Sequence, residues 1–367
     1  MAACTSNLAP EGEHDTLPTC GIVARKRMRQ FLSTHTSNHA TSRPRSVEGT
    51  LVISLDFELY WGWRDRVCLS ELEPRLDGAR AIIPRLLSLF DTYQLHVTWA
   101  TVGLLFLDGR AEALARVPVE LPLYDDVNLS PYRHLPSTGP DEASDPYHYA
   151  RSLIARIQAT PHQELASHTF SHLYCLERGV SVTAFRADLA AAMRASELAG
   201  VTPRSITFPR NQVQRAYLPI CEEFDLLAYR GTANAWPYRP VSGAGKNPLR
   251  RAARLLDSYL NVTGRHTFSV VRSEGSCLVN VPASRYLRPY SRRFRYLEPL
   301  KLRRVMNDMT AAARHGQVYH LWWHPEDLGV NGDASLSQVR RLADHFCSLQ
   351  HSHGMRSMTM AEIAAEA

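Results

Sequence analysis

The sequence predicts an α/β fold with parallel strands, either a barrel or an open sheet. Two observations lead there. Short apolar runs of buried-strand type alternate with stretches of helical period over roughly 300 residues. Polar clusters fall at the ends of the strand runs, where such folds carry their sites. In order, Leu51-Val52-Ile53-Ser54-Leu55 reads as a strand, and Ala79 to Tyr93 as a helix with Ile82, Ile83, Leu86, Leu87 and Phe90 on one face. His96 to Val102 is a second strand, and Glu164 to Ser167 a third that leads to a helix over Val182 to Leu198. Ser205 to Phe208 followed by Ala216 to Phe224 makes another unit, and Val318 to Trp323 followed by Ser337 to His351 the last.

The chain has 367 residues, 44% hydrophobic and 21% charged, an ordinary globular composition with enough length for a substantial core. Residues 1 to about 48, rich in Ser, Thr, His, Pro and Arg without periodicity, are expected to be a mobile tail. A single domain is expected over 49–367, interrupted near 117–146 and 236–300; long insertions in such folds usually cover the site. Seven scattered cysteines without a CxxC argue against a disulfide framework or a thiolate zinc site. No leader-like or membrane-spanning segment is evident, so the expectation is a cytoplasmic protein. A formal charge of +6 permits attraction to phosphate or an anionic glycan or lipid.

Four segments carry chemistry. Asp56-Phe57-Glu58 follows the first strand, and side chains two apart on a strand share a face, so both carboxylates project together; an exposed acidic strand end is the alternative. His168-Thr169-Phe170-Ser171-His172 has imidazoles at i and i+4, which lie together on a helical turn and can bind one ion, although 16 histidines make a chance pair possible. His324 stands where Pro325 must end the last strand and can face the same rim, whereas His320, deeper in that strand, reads as a hydrogen-bonded core residue. Phe208-Pro209-Arg210-Asn211 is a rigid turn presenting Arg210, which near a carboxylate pair would hold it ionised and oriented.

Together and in this order, these segments resemble the polysaccharide deacetylase family, also called carbohydrate esterase family four or the NodB-homology group. Asp56-Phe57-Glu58 is similar to its first motif, Thr98-Trp99-Ala100-Thr101-Val102-Gly103 to its Ala-Thr-Phe-Phe strand, and His168 to His172 to its HxxxH. Phe208-Pro209-Arg210 resembles its Arg/Pro motif and His324-Pro325 its final histidine motif. Two departures stand out. The usual Asp-Asp is here a D-x-E, and the arginine follows the proline rather than preceding it. Trp236 is a candidate for the fourth motif, with hydrophobic cover as its alternative.

The resemblance spans roughly residues 50 to 365 and implies a distorted (β/α) barrel of about seven strands, with Asp56 as base and Glu58 as metal ligand. The corresponding reading is a metal-dependent hydrolase that removes acetyl from an amino sugar. His168, His172 and Glu58 would hold a divalent ion, Asp56 would take the proton of water, His324 would protonate the leaving amine, and Arg210 would assist. Zinc is the default for His₂-carboxylate, and cobalt, nickel or manganese suit the same donors. An allantoinase-like hydrolase of another amide and a non-catalytic glycan-binding barrel stay open as alternatives. Phosphate-loop, GxGxxG and GxSxG signatures are missing, as are the aromatic-basic signatures of common RNA folds, so no nucleic-acid partner is expected. The segment holding Arg285, Arg288, Arg292, Arg293, Arg295, Lys301, Arg303 and Arg304 among tyrosines is either a solvated surface or a border of the cleft. In the second case it would attract an anionic carbohydrate such as a sugar nucleotide or lipid-linked sugar.

Overall fold

Strand β1 (Thr50–Phe57) is buried along its whole length, as a parallel strand covered by helices on its faces must be. The structure is a computed structural model that describes residues 48–242, 247–272 and 277–367. The tail expected over 1–48 lies outside the described residues except for Glu48. After β1 come α1 (Leu69–Thr92), β2 (Val97–Thr101), α2 (Arg110–Ala115), α3 (Arg151–Ala159), β3 (Gln163–Ser167) and α4 (Val182–Glu197). Then follow β4 (Ser205–Ile206), α5 (Leu218–Glu223), β5 (Ala228–Tyr229), α6 (Pro248–Tyr259), β6 (Val279–Asn280) and β7 (Arg285–Tyr286). The chain ends with α7 (Glu298–His315), β8 (Val318–Trp323), α8 (Pro325–Gly329), α9 (Gly332–His353), β9 (Arg356–Met358) and α10 (Met360–Glu366).

All the strands pair in parallel, in the order β6-β5-β4-β3-β2-β1-β8-β7. The first part of β1 also pairs with β9, through Thr50 to Val52. The two edge strands, β6 and β7, are consecutive in the chain and joined only by Val281 to Ser284, which can span at most about 18 Å. That linker sews the edges together: Val281 donates its N–H to Tyr229 at the end of β5, Ala283 to Gly231 just past it, and Ser284 to His320 in β8. The sheet is therefore curled into a distorted (β/α) barrel, which the resemblance implies and which decides between the barrel and the open sheet that the alternation left open.

Phe57, Phe90, Trp99 and Trp323 pack on one another between β1, β2, β8 and α1, all fully buried. Burying a side chain such as Phe57 contributes about 1.5–3 kcal/mol. Because strand neighbours alternate, anchoring Phe57 in this core turns Asp56 to the opposite face. Gly78 of α1 and Gly329 of α8 meet backbone to backbone, and a Cβ on Gly78 would lie 2.7 Å from the Gly329 carbonyl oxygen. This close approach fixes α8, whose first turn begins directly after His324.

Helix α1 starts at Leu69, well before the expected Ala79, because Leu72 and Leu76 continue the buried stripe and outweigh the hydrogen bonds lost at Pro74 and Pro84. The stretch 236–300 is not wholly an insertion, since β6 and β7 belong to the barrel sheet. Within 117–146 the only helical structure is three single turns. No helix among the described residues is long and apolar enough to cross a membrane, and no disulfide joins the five described cysteines.

Candidate active site

Asp56 is the last but one residue of β1, in the buried interior, and Glu58 follows one residue beyond the strand. Leu59 takes φ 44°, and its N–H donates to Glu326 at 2.7 Å, so the chain turns sharply and the Glu58 side chain folds back over Gly62. Only glycine fits at 62, because a Cβ there would lie 2.0 Å from a Glu58 carboxylate oxygen. Burial pushes the Glu326 carboxyl up to about 8, and the nearby Glu58 charge adds to the effect.

Asp56 is clamped by Arg230, which lies just past the two-residue strand β5. Its two terminal nitrogens donate to the two Asp56 oxygens at 2.6 and 2.7 Å. The guanidinium is fully buried, donates further to Ser54 and Asn211, and stacks 4.4 Å from the centre of the Trp322 ring. Burial alone would raise the Asp56 carboxyl; the Arg230 charge outweighs it, with His168 and His324 assisting, and holds it below the usual range.

His168 and His172 do not share a helical turn, as their spacing predicts. They lie on a loop after β3 in which Thr169 and His172 take φ 63° and 56°. Two left-handed residues reverse the chain locally and bring both rings to one point. The buried Asp188 of α4 holds this loop by accepting from the Phe170 N–H and the Ser171 hydroxyl. His168 Nδ1 donates to the Thr207 carbonyl at 2.8 Å. A carbonyl only accepts, so the proton sits on Nδ1 and Nε2 presents a lone pair. Nε2 of His172 and of His168 lie 2.8 and 3.3 Å from one Glu58 oxygen, neither with hydrogen-bond geometry. Burial pushes the His172 imidazole down to about 4, against the opposing pull of Glu58. The donor atoms of Glu58, His168 and His172 all lie within 4.8 Å of one another, a cluster that could hold a metal ion.

His324 lies where β8 gives way to α8. Its Nε2 is 3.7 Å from Asp56 and 3.6 Å from Glu58, and its ring is open to the cleft. Nδ1 lies 3.0 Å from Asp327, a carboxylate also bound by Arg75 and the Tyr286 hydroxyl. His320 is a core residue, between the Val281 carbonyl and the Ser54 hydroxyl, and burial drives its imidazole down to about 3.

Arg210 does not reach the carboxylate pair. It pairs with Asp65, approaches Glu177 at 3.8 Å and lies 3.6 Å over the Tyr174 ring. Its backbone explains the difference: Arg210 and Asn211 take φ 56° and 53°, which turns the arginine to the cleft wall and leaves Asn211 to meet Arg230. The arginine that holds Asp56 is thus Arg230. Sequence offers no signal for it, because β5 is too short to show a period.

These groups sit at the floor of a cleft of about 960 Å³. Among the described residues, Asp56 and Glu58 are the only acids lining it, against seven arginines. Arg239, Arg250, Arg254 and Arg288 have no carboxylate partner among the described residues. The basic segment after β6 divides. Arg285 and Arg304 are buried in ion pairs with Asp257 and Asp308, and Lys301 pairs with Glu298. Arg292 and Arg293 face solvent away from the cleft lining, which this segment reaches through Arg285, Tyr286 and Arg288. Trp236, half exposed, stands beside Arg250 and not in the lining.

No protein-family model matches the sequence, and no curated protein matches it. Solved structures do match. A candidate polysaccharide deacetylase from Mycobacterium smegmatis is 16% identical, with 90% of this chain and 94% of that one covered and a TM-score of 0.54. Another from Pseudomonas aeruginosa PAO1 is 13% identical over 86% and 89%, with a TM-score of 0.51. The 4-alpha-glucanotransferase of Thermococcus litoralis is 10% identical with a TM-score of 0.52, and the match takes in 87% of this chain but only 40% of that enzyme. At these identities the likeness is one of fold, and the fold is the barrel of the polysaccharide deacetylase type.

Proposed function

We propose that the protein is a metal-dependent hydrolase that removes an acetyl group from the nitrogen of an N-acetylated sugar or glycan precursor. One observation carries this reading. The Nε2 atoms of His168 and His172 are buried without hydrogen-bond partners among the described residues and converge on the Glu58 carboxylate. Buried polar nitrogens are rarely left unpaired, and a divalent cation between the three donors would satisfy all of them at once. Two imidazoles and a carboxylate are the donor set of catalytic zinc, and they also suit cobalt, nickel and manganese. When bound, such an ion lowers the pKa of water and polarises a carbonyl.

The chain's own residues have separate tasks. Asp56, kept ionised and oriented by Arg230, accepts the proton of the attacking water. His324, oriented through Nδ1 by Asp327, delivers a proton from Nε2 to the departing nitrogen. Asp188 is a positioning residue for the histidine loop. Asp188→Ala is expected to weaken metal affinity about 10–100-fold, the scale for loss of a group that orients ligands. Asp188→Asn, which keeps an acceptor for the Phe170 N–H, should recover part of it. Titration of the purified variants with zinc and a competing chelator checks this; unchanged affinity in the alanine variant would show that the loop holds its shape unaided.

Arg239, Arg250, Arg254 and Arg288, which have no carboxylate partner among the described residues, support an anionic substrate, a sugar nucleotide or a lipid-linked sugar phosphate, since arginine forks bind phosphate oxygens in pairs. The test is acetate release from an N-acetylated sugar nucleotide and from the neutral N-acetylated sugar, with metal content measured alongside. Acetate is expected from the metal-loaded protein. KM for the charged compound should rise with salt and in Arg254→Gln and Arg288→Gln, while KM for the neutral one stays nearly constant. No acetate from either compound would count against deacetylation, and equal salt responses against the anionic substrate.

A further inference from the structure

Helix α6 is amphipathic in the reverse sense. Its polar side, Arg250, Arg254, Asp257 and Ser258, faces the protein, and its apolar side, Leu249, Ala252 and Leu256, continued by Leu260, faces solvent. Leu249 is 71% exposed, Leu256 50% and Leu260 52%. A surface helix of a globular protein normally turns its apolar stripe to the core. Here it cannot roll over, because Asp257 is nailed down: it accepts from Tyr238, Arg285 and the Val262 and Thr263 N–H groups. The leucines are therefore held outward by the same network that closes the barrel wall beneath them.

The neighbouring segment continues the face. The Phe294 ring lies 6.4 Å from that of Tyr259 at the end of α6, and Phe294, Tyr296, Leu297 and Leu300 are all exposed. Charge on this face has one sign. Residues 247–272 contain one acid, Asp257, and residues 285–304 one, Glu298, and both are buried. Arg251, Arg292, Arg293 and Arg295 are exposed among the apolar groups. A second copy of the chain would bring like charges together. Leucines flanked by arginine and tyrosine are instead the composition of helices that lie in the headgroup region of an anionic bilayer.

We infer that the face built from α6 and residues 290–300 docks on the surface of an anionic phospholipid membrane. Pro248, Leu249, Arg250 and Arg254 of the same helix line the cleft, so docking sets the mouth of the cleft at the headgroups. The inference goes beyond the proposed chemistry and does not rest on it, because membrane binding is measured without substrate.

The test is sedimentation of the full-length protein with phosphatidylcholine vesicles, with and without phosphatidylglycerol. Binding is expected only to the anionic vesicles, and it should fall as salt rises. Leu256→Ser/Leu260→Ser should bind roughly tenfold or more weakly, as should Arg292→Gln/Arg293→Gln. All four positions are exposed, so both variants should melt like the parent, and neither touches the cleft. Residues 1–47 are present in every protein compared, so a loss in the variants reports on this face and not on the basic tail. Binding of the serine variant equal to the parent, equal binding to neutral vesicles, or no binding to either would overturn the inference. So would a stable dimer in gel filtration that the serine variant dissolves, which would give the face to a second copy.

Discussion

Replacing His172 with alanine is expected to remove bound metal and, with it, all measurable turnover, while the barrel stays folded. The His172 ring is buried and has no hydrogen-bond partner among the described residues, so deleting it strips one donor from the cluster without orphaning another described polar group. Glu58 and His168 alone then face the ion, and no other described histidine, cysteine or acid joins them in a cluster of three. His168→Ala should lose metal equally but cost more stability. It also leaves the Thr207 carbonyl without its 2.8 Å donor, a penalty of about 1–3 kcal/mol for a buried acceptor. Glu58→Ala should have the smallest effect on affinity, since water can stand in for one oxygen ligand. Metal analysis and melting curves of the three variants check this. Full occupancy in both histidine variants would mean that the cluster is not the metal site.

Asp56→Asn is expected to keep the metal and lower turnover by about 10²-fold or more, the scale for removal of a general base. The amide keeps one acceptor for Arg230 but turns an NH₂ group toward the other guanidinium nitrogen, so some stability is lost as well. Arg230→Met separates the two effects. It keeps the base but leaves a carboxylate unpaired in the interior, for a stability loss of about 3–5 kcal/mol. If the Asp56 carboxylate matters only as half of an ion pair, both variants should lose stability alike and Asp56→Asn should keep its rate. If Asp56→Asn loses metal while Glu58→Gln loses only rate, the two carboxylate roles are exchanged. The same assay examines the proton donor. His324→Ala should hold metal and slow amide cleavage more than cleavage of an activated ester, whose leaving group needs no proton; an equal loss on both would make His324 a positioning group.

Both expectations start from residues that local pattern could find. β1, β2 and β8 are largely apolar runs long enough to show their type, β3 shows only Leu165 and Ala166 ahead of its polar end, and Asp56, Glu58, His168 and His324 each stand at or just past a strand end. Parallel strands with right-handed crossovers carry such ends to one rim, so their meeting was legible before any coordinates. Helix α4 was legible for a similar reason: Asp188 apart, its inner face repeats Ala184, Phe185, Leu189, Ala192 and Ala195 at helical spacing, and Ser181 caps its first turn. β4 was legible with α5 as one strand-helix unit over Ser205 to Phe224, whereas β5, β6 and β7 were not, because two residues cannot display a period and their pairing comes wholly from neighbours distant in the chain.

By itself, then, the sequence determined the strand-helix alternation, the parallel α/β class that follows from it, and which carboxylates and imidazoles stand at strand ends. Only the tertiary structure decided which partner each of them has. Arg230 rather than Arg210 holds Asp56, because left-handed backbone at Arg210 and Asn211 turns one side chain away and sends the other to Arg230. A loop bent at Thr169 and His172, not a helical turn, joins the two imidazoles, and Asp188 on another element holds it. The outward leucines of α6 follow from a buried Asp257–Arg285 pair that no sequence window contains. The physical reason is common to all three. Periodicity and chain geometry act over a few residues, whereas a buried charge is placed by whichever counter-charge the closed barrel brings within hydrogen-bonding distance.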